Sequence, residues 1–126
     1  MIILDTDVLI EVLDRKSVRG DKVLQRLQAV KEDIKTTAIN LHEILYGLEK
    51  FAKPVKEVLL LPVLDYTRRD AVLSSKIELE AERKGITMRR TDAMIAAVAM
   101  NNGAALYTFD LKHFSPLRVM GLRILT

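Results

Sequence analysis

The apolar run Ile2-Ile3-Leu4 stops at Asp5-Thr6-Asp7, and apolar residues resume at once with Val8-Leu9-Ile10. A short, wholly aliphatic run suits a strand buried on both faces, as in a parallel sheet lying between helices. In open sheets of that kind, ligands bind beyond the carboxyl ends of the strands. Asp5 is therefore predicted to stand at an end where chemistry is done. What constrains the rest of the chain is whether other carboxylates can reach the same place.

The remaining pattern alternates helix with strand. Thr6 or Asp7 can cap a short helix carrying Val8, Leu9, Val12 and Leu13. A polar break over 15–20 precedes a helix over 21–31, with Val23, Leu24, Leu27 and Val30 on one face. Residues 34–37 read as a strand, and Thr37 is placed to cap a helix over 38–52 whose stripe is Leu41, Ile44, Leu45 and Leu48. Pro54 interrupts it. Helix over 55–60 precedes a strand over 61–66, with Pro62 at its start or on an edge. A helix over 68–84 is closed by Gly85 and the most apolar helix, 91–102, by Gly103. Strands are predicted at 105–108 and 122–125. No repeat or Gly/Ser-rich linker divides the 126 residues. The expected fold is a single α/β domain over 1–126, a three-layer α/β/α sandwich with a mainly parallel sheet of four to five strands.

Several function classes are excluded at this level. The chain has no cysteine, which removes disulfide scaffolds, thiolate zinc sites and cysteine nucleophiles. No apolar run approaches the roughly 18 residues of a membrane span. The first residues lack a secretion signal, so the expected location is cytoplasmic, with no membrane partner. His42 and His113 lack ligand spacing and are expected to be structural or surface residues. There is no Gly-rich phosphate loop and no G-x-S-x-G elbow.

Four acids are candidates, each with an ordinary alternative. Asp5 can be a helix cap. Glu43, one turn into its helix and opposite the apolar stripe, reads from periodicity as a solvated glutamate. Gly47, one turn further on, costs about 1 kcal/mol relative to alanine in mid-helix, which predicts a close approach there. Asp92 heads the most apolar helix, where capping beside Thr91 is the alternative. Asp110 follows the strand at 105–108 as Asp5 follows the first, and a turn role is open to it. Two acids at strand ends and two near helix starts can converge in one α/β/α sheet. Clustered carboxylates stay ionised together when cations join them. Oxygen ligands select Mg²⁺ or Mn²⁺, and such a cation assists in-line displacement at phosphorus. Lys and Arg number 20 against 17 Asp and Glu. Carboxylates gathered in one site leave the remaining surface more cationic, which suits a nucleic acid. Arg89 and Arg90 stand nearest to Asp92 and are the expected phosphate contacts.

Four blocks then carry a resemblance: Ile3-Leu4-Asp5-Thr6-Asp7-Val8-Leu9-Ile10, Asn40-Leu41-His42-Glu43-Ile44-Leu45-Tyr46-Gly47, Thr91-Asp92-Ala93-Met94-Ile95-Ala96-Ala97-Val98-Ala99, and Leu106-Tyr107-Thr108-Phe109-Asp110-Leu111-Lys112-His113-Phe114. Their order and separation resemble the PIN-domain ribonucleases, and within them the small VapC-type toxins of prokaryotic toxin–antitoxin pairs. The resemblance implies a Mg²⁺ or Mn²⁺ site formed by Asp5, Glu43, Asp92 and Asp110, with Asp5 and Asp92 the firmest ligands. It implies a supporting hydroxyl from Thr108, with Thr6 a second candidate and a possible substrate contact. RNA hydrolysis follows, in which water attacks phosphorus and a 3′-hydroxyl leaves. The implied partners are an RNA substrate, a cognate small antitoxin whose tail blocks the site, and a second copy of the chain. Asp7 stands where the family often has Asn or Ser, and its role is open. The alternatives are a haloacid-dehalogenase-like phosphatase, which Asp5-x-Asp7 matches at two positions, and a non-catalytic PIN-fold module that binds RNA or protein.

Overall fold

The computed structural model describes residues Met1–Thr126. The chain runs β1 (Ile2–Leu4), α1 (Thr6–Leu9), a π-helical continuation (Ile10–Arg15), α2 (Val18–Ala29), β2 (Ile34–Thr37), α3 (Ala38–Lys50), α4 (Lys56–Leu59) and β3 (Val63–Leu64). It continues through α5 (Arg68–Arg83), α6 (Arg90–Asn101), β4 (Ala105–Tyr107), α7 (Leu111–Phe114), a 3₁₀ segment (Ser115–Met120) and β5 (Arg123–Leu125). The five strands form one sheet in the order β3-β2-β1-β4-β5. Every pair is parallel, with Ile2 opposite both Ile34 and Ala105. The chain builds outward from β1 in one direction through β2 and β3, then returns to lay β4 and β5 on the other side. The reversal falls between β1 and β4, the position at which parallel sheets open a crevice.

Alternation along β1 divides the core into the two expected layers. Ile3 and Leu106 face one cluster with Ile77, Ile95, Val98, Phe114 and Leu117. Ile2, Leu4 and Tyr107 face the other, with Val8, Leu9, Val23, Ile44, Leu48 and Val58. Ile3 and Leu106 are fully buried, so β1 and β4 are covered on both sides, as their unbroken aliphatic sequence requires. Helix α6 is lined by Ala93, Ala96, Ala97 and Ala99, all 0% exposed. Small side chains let it lie close to both the sheet and α5. Helix α5 starts with a capping box, Thr67 and Asp70 each accepting from or donating to the other's backbone or side chain. The second oxygen of Asp70 accepts from Asn101 Nδ2 at 2.8 Å, fastening the start of α5 to the end of α6. Gly85 and Gly103, at φ +69° and +60°, take the left-handed turns that follow these two helices.

Three local expectations change. The polar break before α2 shrinks to Lys16 and Ser17, because Ser17 accepts from Gly20 N at 3.0 Å and starts the helix at Val18. The strand at 61–66 contracts to Val63–Leu64 at the sheet edge. Pro62 precedes it and still contributes its carbonyl to Thr36 N at 3.0 Å. The close approach expected at Gly47 is absent, since a Cβ there meets nothing within 4 Å. It occurs instead at Gly20, where a Cβ would lie 2.3 Å from the Glu11 carbonyl oxygen. The widened π-helical turn brings that carbonyl against α2.

These two glycines give opposed predictions. Gly20→Ala forces backbone apart and is expected to destabilise the fold by about 2 kcal/mol or more. Gly47→Ala adds helix propensity in open space and is expected to stabilise by roughly 0.5–1 kcal/mol. Urea unfolding of the two variants beside the parent checks both signs.

Candidate active site

Asp5 leaves β1 at its carboxyl end and is itself the N-cap of α1, accepting from Thr6 N at 2.9 Å. Thr6 and Asp7, expected as caps, lie inside the helix. The capping reading and the functional one therefore coexist in one residue. The same oxygen, Oδ1, accepts from Asn40 Nδ2 at 2.9 Å, and Oδ2 accepts from Thr108 Oγ1 at 2.7 Å. The residue is only 6% exposed. Burial, then the neighbouring Asp7 charge, push its carboxyl up from 3.8 to about 7, with Glu43 adding to the effect; the hydrogen bonds from Thr108 and Thr6 oppose it.

Glu43 is not a free surface glutamate. Its Oε1 accepts from Thr6 Oγ1 at 2.8 Å. Between Glu43 and Asp5 lies Asn40, fully buried, whose amide also donates to Thr6 Oγ1 at 3.0 Å. Thr37 fixes the orientation of that amide by donating to Asn40 Oδ1 at 2.7 Å, while accepting from Asn40 N as the cap of α3. Asn40 did not emerge from sequence reasoning as a site residue. Its signal is an amide three residues before Glu43 on the same helix face, and three residues after the cap Thr37. A groove of about 300 Å³, lined by Ala38, Ile39, His42, Glu43 and Thr91, opens beside it between α3 and the start of α6.

A second group forms at the start of α6. Asp92 is in the first turn, 4% exposed, and caps nothing, because the N-cap is Arg89 without a side-chain bond. Arg89 stays exposed and reaches across to the carboxylates. Its Nε and a terminal nitrogen donate to Asp92 Oδ2 and Oδ1 at 2.8 and 3.3 Å, and that terminal nitrogen also donates to Asp110 Oδ2 at 3.1 Å. Hydrogen bonding to Asp92, then the charges of Asp92, Asp110 and Glu43, push the Arg89 pKa further up against partial burial. Arg90 is excluded from the site, since it pairs with Glu78 at 3.0 Å on the surface of α5. Asp110 caps α7 by accepting from His113 N at 3.2 Å, and His113 Nδ1 lies 2.8 Å from Asp110 Oδ2. Ligand atoms of Asp92, Asp110 and His113 lie within 4.8 Å of one another. His113, expected to be structural or superficial, thus belongs to the site. Its spacing from Asp110 is one helical turn.

Thr108 joins the two groups. Its hydroxyl donates to Asp5 and accepts from Asp110 N at 3.0 Å. Asp7 makes a second connection, its Oδ2 accepting from Phe109 N at 3.1 Å.

A family model for the PIN domain matches residues 2–117. The chain belongs to the PIN-domain family. It is 30% identical over 128 residues to the tRNA(fMet)-specific endonuclease VapC of Salmonella typhimurium, covering 96% of this chain and 93% of that protein. It is 28% identical to the ribonuclease VapC2 of Haemophilus influenzae, over 95% of this chain and 92% of that one. A chain of the DNA-bound VapBC crystal structure from Salmonella typhimurium superposes with a TM-score of 0.82 at 29% identity, covering 98% of this chain and 96% of its counterpart. The VapBC2 complex of Rickettsia felis also reaches 0.82, at 23% identity and 99% coverage of this chain and 98% of its counterpart, and is evidence for the fold alone.

The PIN-domain site of this chain has the chemistry of a cation site. Its donors are hard carboxylate oxygens, with one imidazole, which suits a divalent ion. Asp7 Oδ1 is buried with no hydrogen-bond partner. Burial raises the pKa of Asp7, with the Asp110 charge adding to it, against the Phe109 and Val8 amides and Arg19. An acceptor without a donor, beside other carboxylates, lacks positive charge. Arg89 supplies some to Asp92 and Asp110, and none of its hydrogen bonds reaches Asp5, Asp7 or Glu43.

The Asp5 shift has a measurable consequence for the cation-free protein. Near pH 4 the folded chain keeps the Asp5 proton, while the unfolded chain begins to lose it. As pH rises to 7 the folded state binds more protons than the unfolded one, so stability falls through that window. Moving the midpoint from 3.8 to about 7 corresponds to at most roughly 4 kcal/mol. With EDTA present, Asp5→Asn is expected to flatten this fall and melt above the parent at pH 8. Thermal melts from pH 4 to 8 decide it: parallel curves for the two proteins would show that Asp5 is already ionised without a cation.

Proposed function

We propose that residues 1–126 act as one PIN domain with divalent-cation-dependent endoribonuclease activity, the cytoplasmic toxin of a toxin–antitoxin pair. The observation that carries the reading is Asp5: a carboxylate buried at the end of β1, held by three donors, beside Asp7 and Glu43 with no counter-ion of its own. The named VapC relatives support the class of substrate, RNA, and the VapBC complexes support a small antitoxin as partner. A second copy of the chain is the further partner. No helix is long and apolar enough to cross a membrane.

Asp5, Glu43, Asp92 and Asp110 would hold the ion, Mg²⁺ or Mn²⁺, with Asp7 and His113 able to contribute. A cation bound there favours ionisation of a water and stabilises charge on the attacking and leaving oxygens of an in-line displacement at phosphorus. The chain's own residues fix the geometry. Asn40 and Thr108 hold the two oxygens of Asp5, which would otherwise rotate. Thr6 is committed to Glu43 and Asn40, so its hydroxyl orients a carboxylate rather than contacting substrate. Arg89 bridges Asp92 and Asp110 through one terminal nitrogen and is the cation nearest to an arriving phosphate.

The test is hydrolysis of RNA with Mg²⁺ or Mn²⁺, read by gel. Asp5→Asn and Asp92→Asn are each expected to lower the rate at least about 100-fold, and EDTA to abolish it. Asn40→Ala, which frees Asp5 without touching the ion, is expected to cost about 10- to 100-fold. Cleavage that survives EDTA or Asp5→Asn would sink the assignment. Accumulation of an aspartyl-phosphate on Asp5 would favour a phosphatase instead.

A further inference from the structure

The acidic site accounts for where phosphorus is attacked, but not for how a strand is held. Arg90 is paired with Glu78, and Arg89 is shared between Asp92 and Asp110. Among the cations that form no ion pair, three stand together on the opposite helical layer. Helix α2 carries Arg19, Lys22 and Arg26 along one border of the stripe formed by buried Gly20 and Val23 and half-buried Leu27, at spacings that share a face. All three are exposed, and none forms an ion pair.

Two of them lie over aromatic rings. The Arg19 guanidinium carbon is 3.5 Å from the centroid of the Phe109 ring, and that of Arg26 is 5.6 Å from the Tyr107 ring. The rings themselves meet edge to face, with centroids 6.3 Å apart. Phe109 is also tied to the site, because its amide donates to Asp7 and the next residue is Asp110. A row of cations backed by aromatics therefore begins beside Asp110 and follows α2 for seven residues, about 10 Å. A guanidinium held over a ring can still offer N–H donors to phosphate and a plane to a base. Lysine offers neither plane nor fork.

We propose that Arg19, Lys22 and Arg26, with Arg19 spread on Phe109, form the track that binds the single-stranded RNA flanking the scissile phosphate. The proposal rests on the nuclease reading and adds to it the direction in which the strand leaves the site. Charge complementarity favours a polyanion here. The Arg19 guanidinium over Phe109, a ring one residue from Asp110, favours an unpaired base over a duplex.

The test measures binding separately from cleavage. A fluorescently labelled single-stranded RNA of about ten nucleotides is titrated with the full chain in EDTA, by anisotropy, across a range of salt. Arg19→Gln is expected to weaken binding about five-fold at low salt and to lower the slope of log K against log salt by about 0.7. Arg19→Lys is expected to keep the slope and still lose affinity, since it keeps the charge but loses the plane. Lys76→Gln, an exposed cation on α5 in the other layer, is the control and is expected to change neither. Equal behaviour of Arg19→Gln and Lys76→Gln would overturn the track, as would binding of duplex DNA or an acidic peptide as tightly as the RNA. Arg19-dependent RNA binding without any cleavage under Mg²⁺ or Mn²⁺ would overturn the nuclease reading and leave the track. Cleavage with Arg19-independent binding would do the reverse.

Discussion

The hydrogen bond from Thr108 Oγ1 to Asp5 Oδ2, 2.7 Å long, joins residues 103 positions apart. Both partners are buried, and each follows the last residue of a strand at the point where the sheet changes direction. Thr108 stands there because β4 pairs with β1 in register, Tyr107 opposite Leu4. A slip of one residue would exchange the faces of every β4 side chain. Leu106 and Tyr107 would change layers, and the hydroxyl would leave Asp5. Core and site thus depend on the same register, and the aliphatic pattern that buries β1 and β4 also delivers the site's central contact.

From that contact the site extends into both helical layers. One side is supplied by α1 and α3 through Thr6, Asn40 and Glu43, over the cluster containing Leu4 and Ile44. The other is supplied by α6 through Arg89 and Asp92, over the cluster containing Ile3 and Ile95. Neither layer holds a complete set of groups. Negative charge is concentrated where the layers meet; Arg89 relieves it by hydrogen bonds at Asp92 and Asp110, whereas Arg19 acts on Asp7 through its charge alone. Burial first, and then neighbouring carboxylates, raise Asp5 and Asp7 above ordinary acidity.

Much of this was legible in sequence, and the reasons differ by feature. Strand and helix periods point to the three layers and to a sheet of four to five strands, because burial on two faces leaves a continuous apolar signature. Asp5 and Asp110 were visible as polar residues ending such runs. Glu43 was not, since periodicity reports only which side of a helix faces the core, and a carboxylate facing a cleft looks like one facing water. The resemblance to PIN-domain ribonucleases singled it out instead. Asn40 and His113 were missed because their roles arise from contact with residues 34 or more positions away, or from a turn whose shape no period encodes. Arg89 and Arg90 are adjacent and chemically alike, yet one enters the site and the other binds Glu78. Arg89 is the extended N-cap and Arg90 the first helical residue, so the exact start of α6 decides which of the two reaches the carboxylates.

Asp7 draws these strands together. Its Oδ2 fastens the β4–α7 connection through the Phe109 amide, a role an asparagine or serine at this position could also fill. Its carboxylate adds charge where charge is already in excess, and one oxygen is left buried without a donor. A neutral residue would hold the loop at lower electrostatic cost. The extra charge is favourable only when a cation is bound, because the same burial that penalises a lone carboxylate strengthens its attraction to an ion. Asp7 therefore makes the folded site more dependent on its cation than the loop contact alone requires. The Phe109 it fixes is the ring under Arg19, so one residue couples the acidic centre to the cationic row on α2.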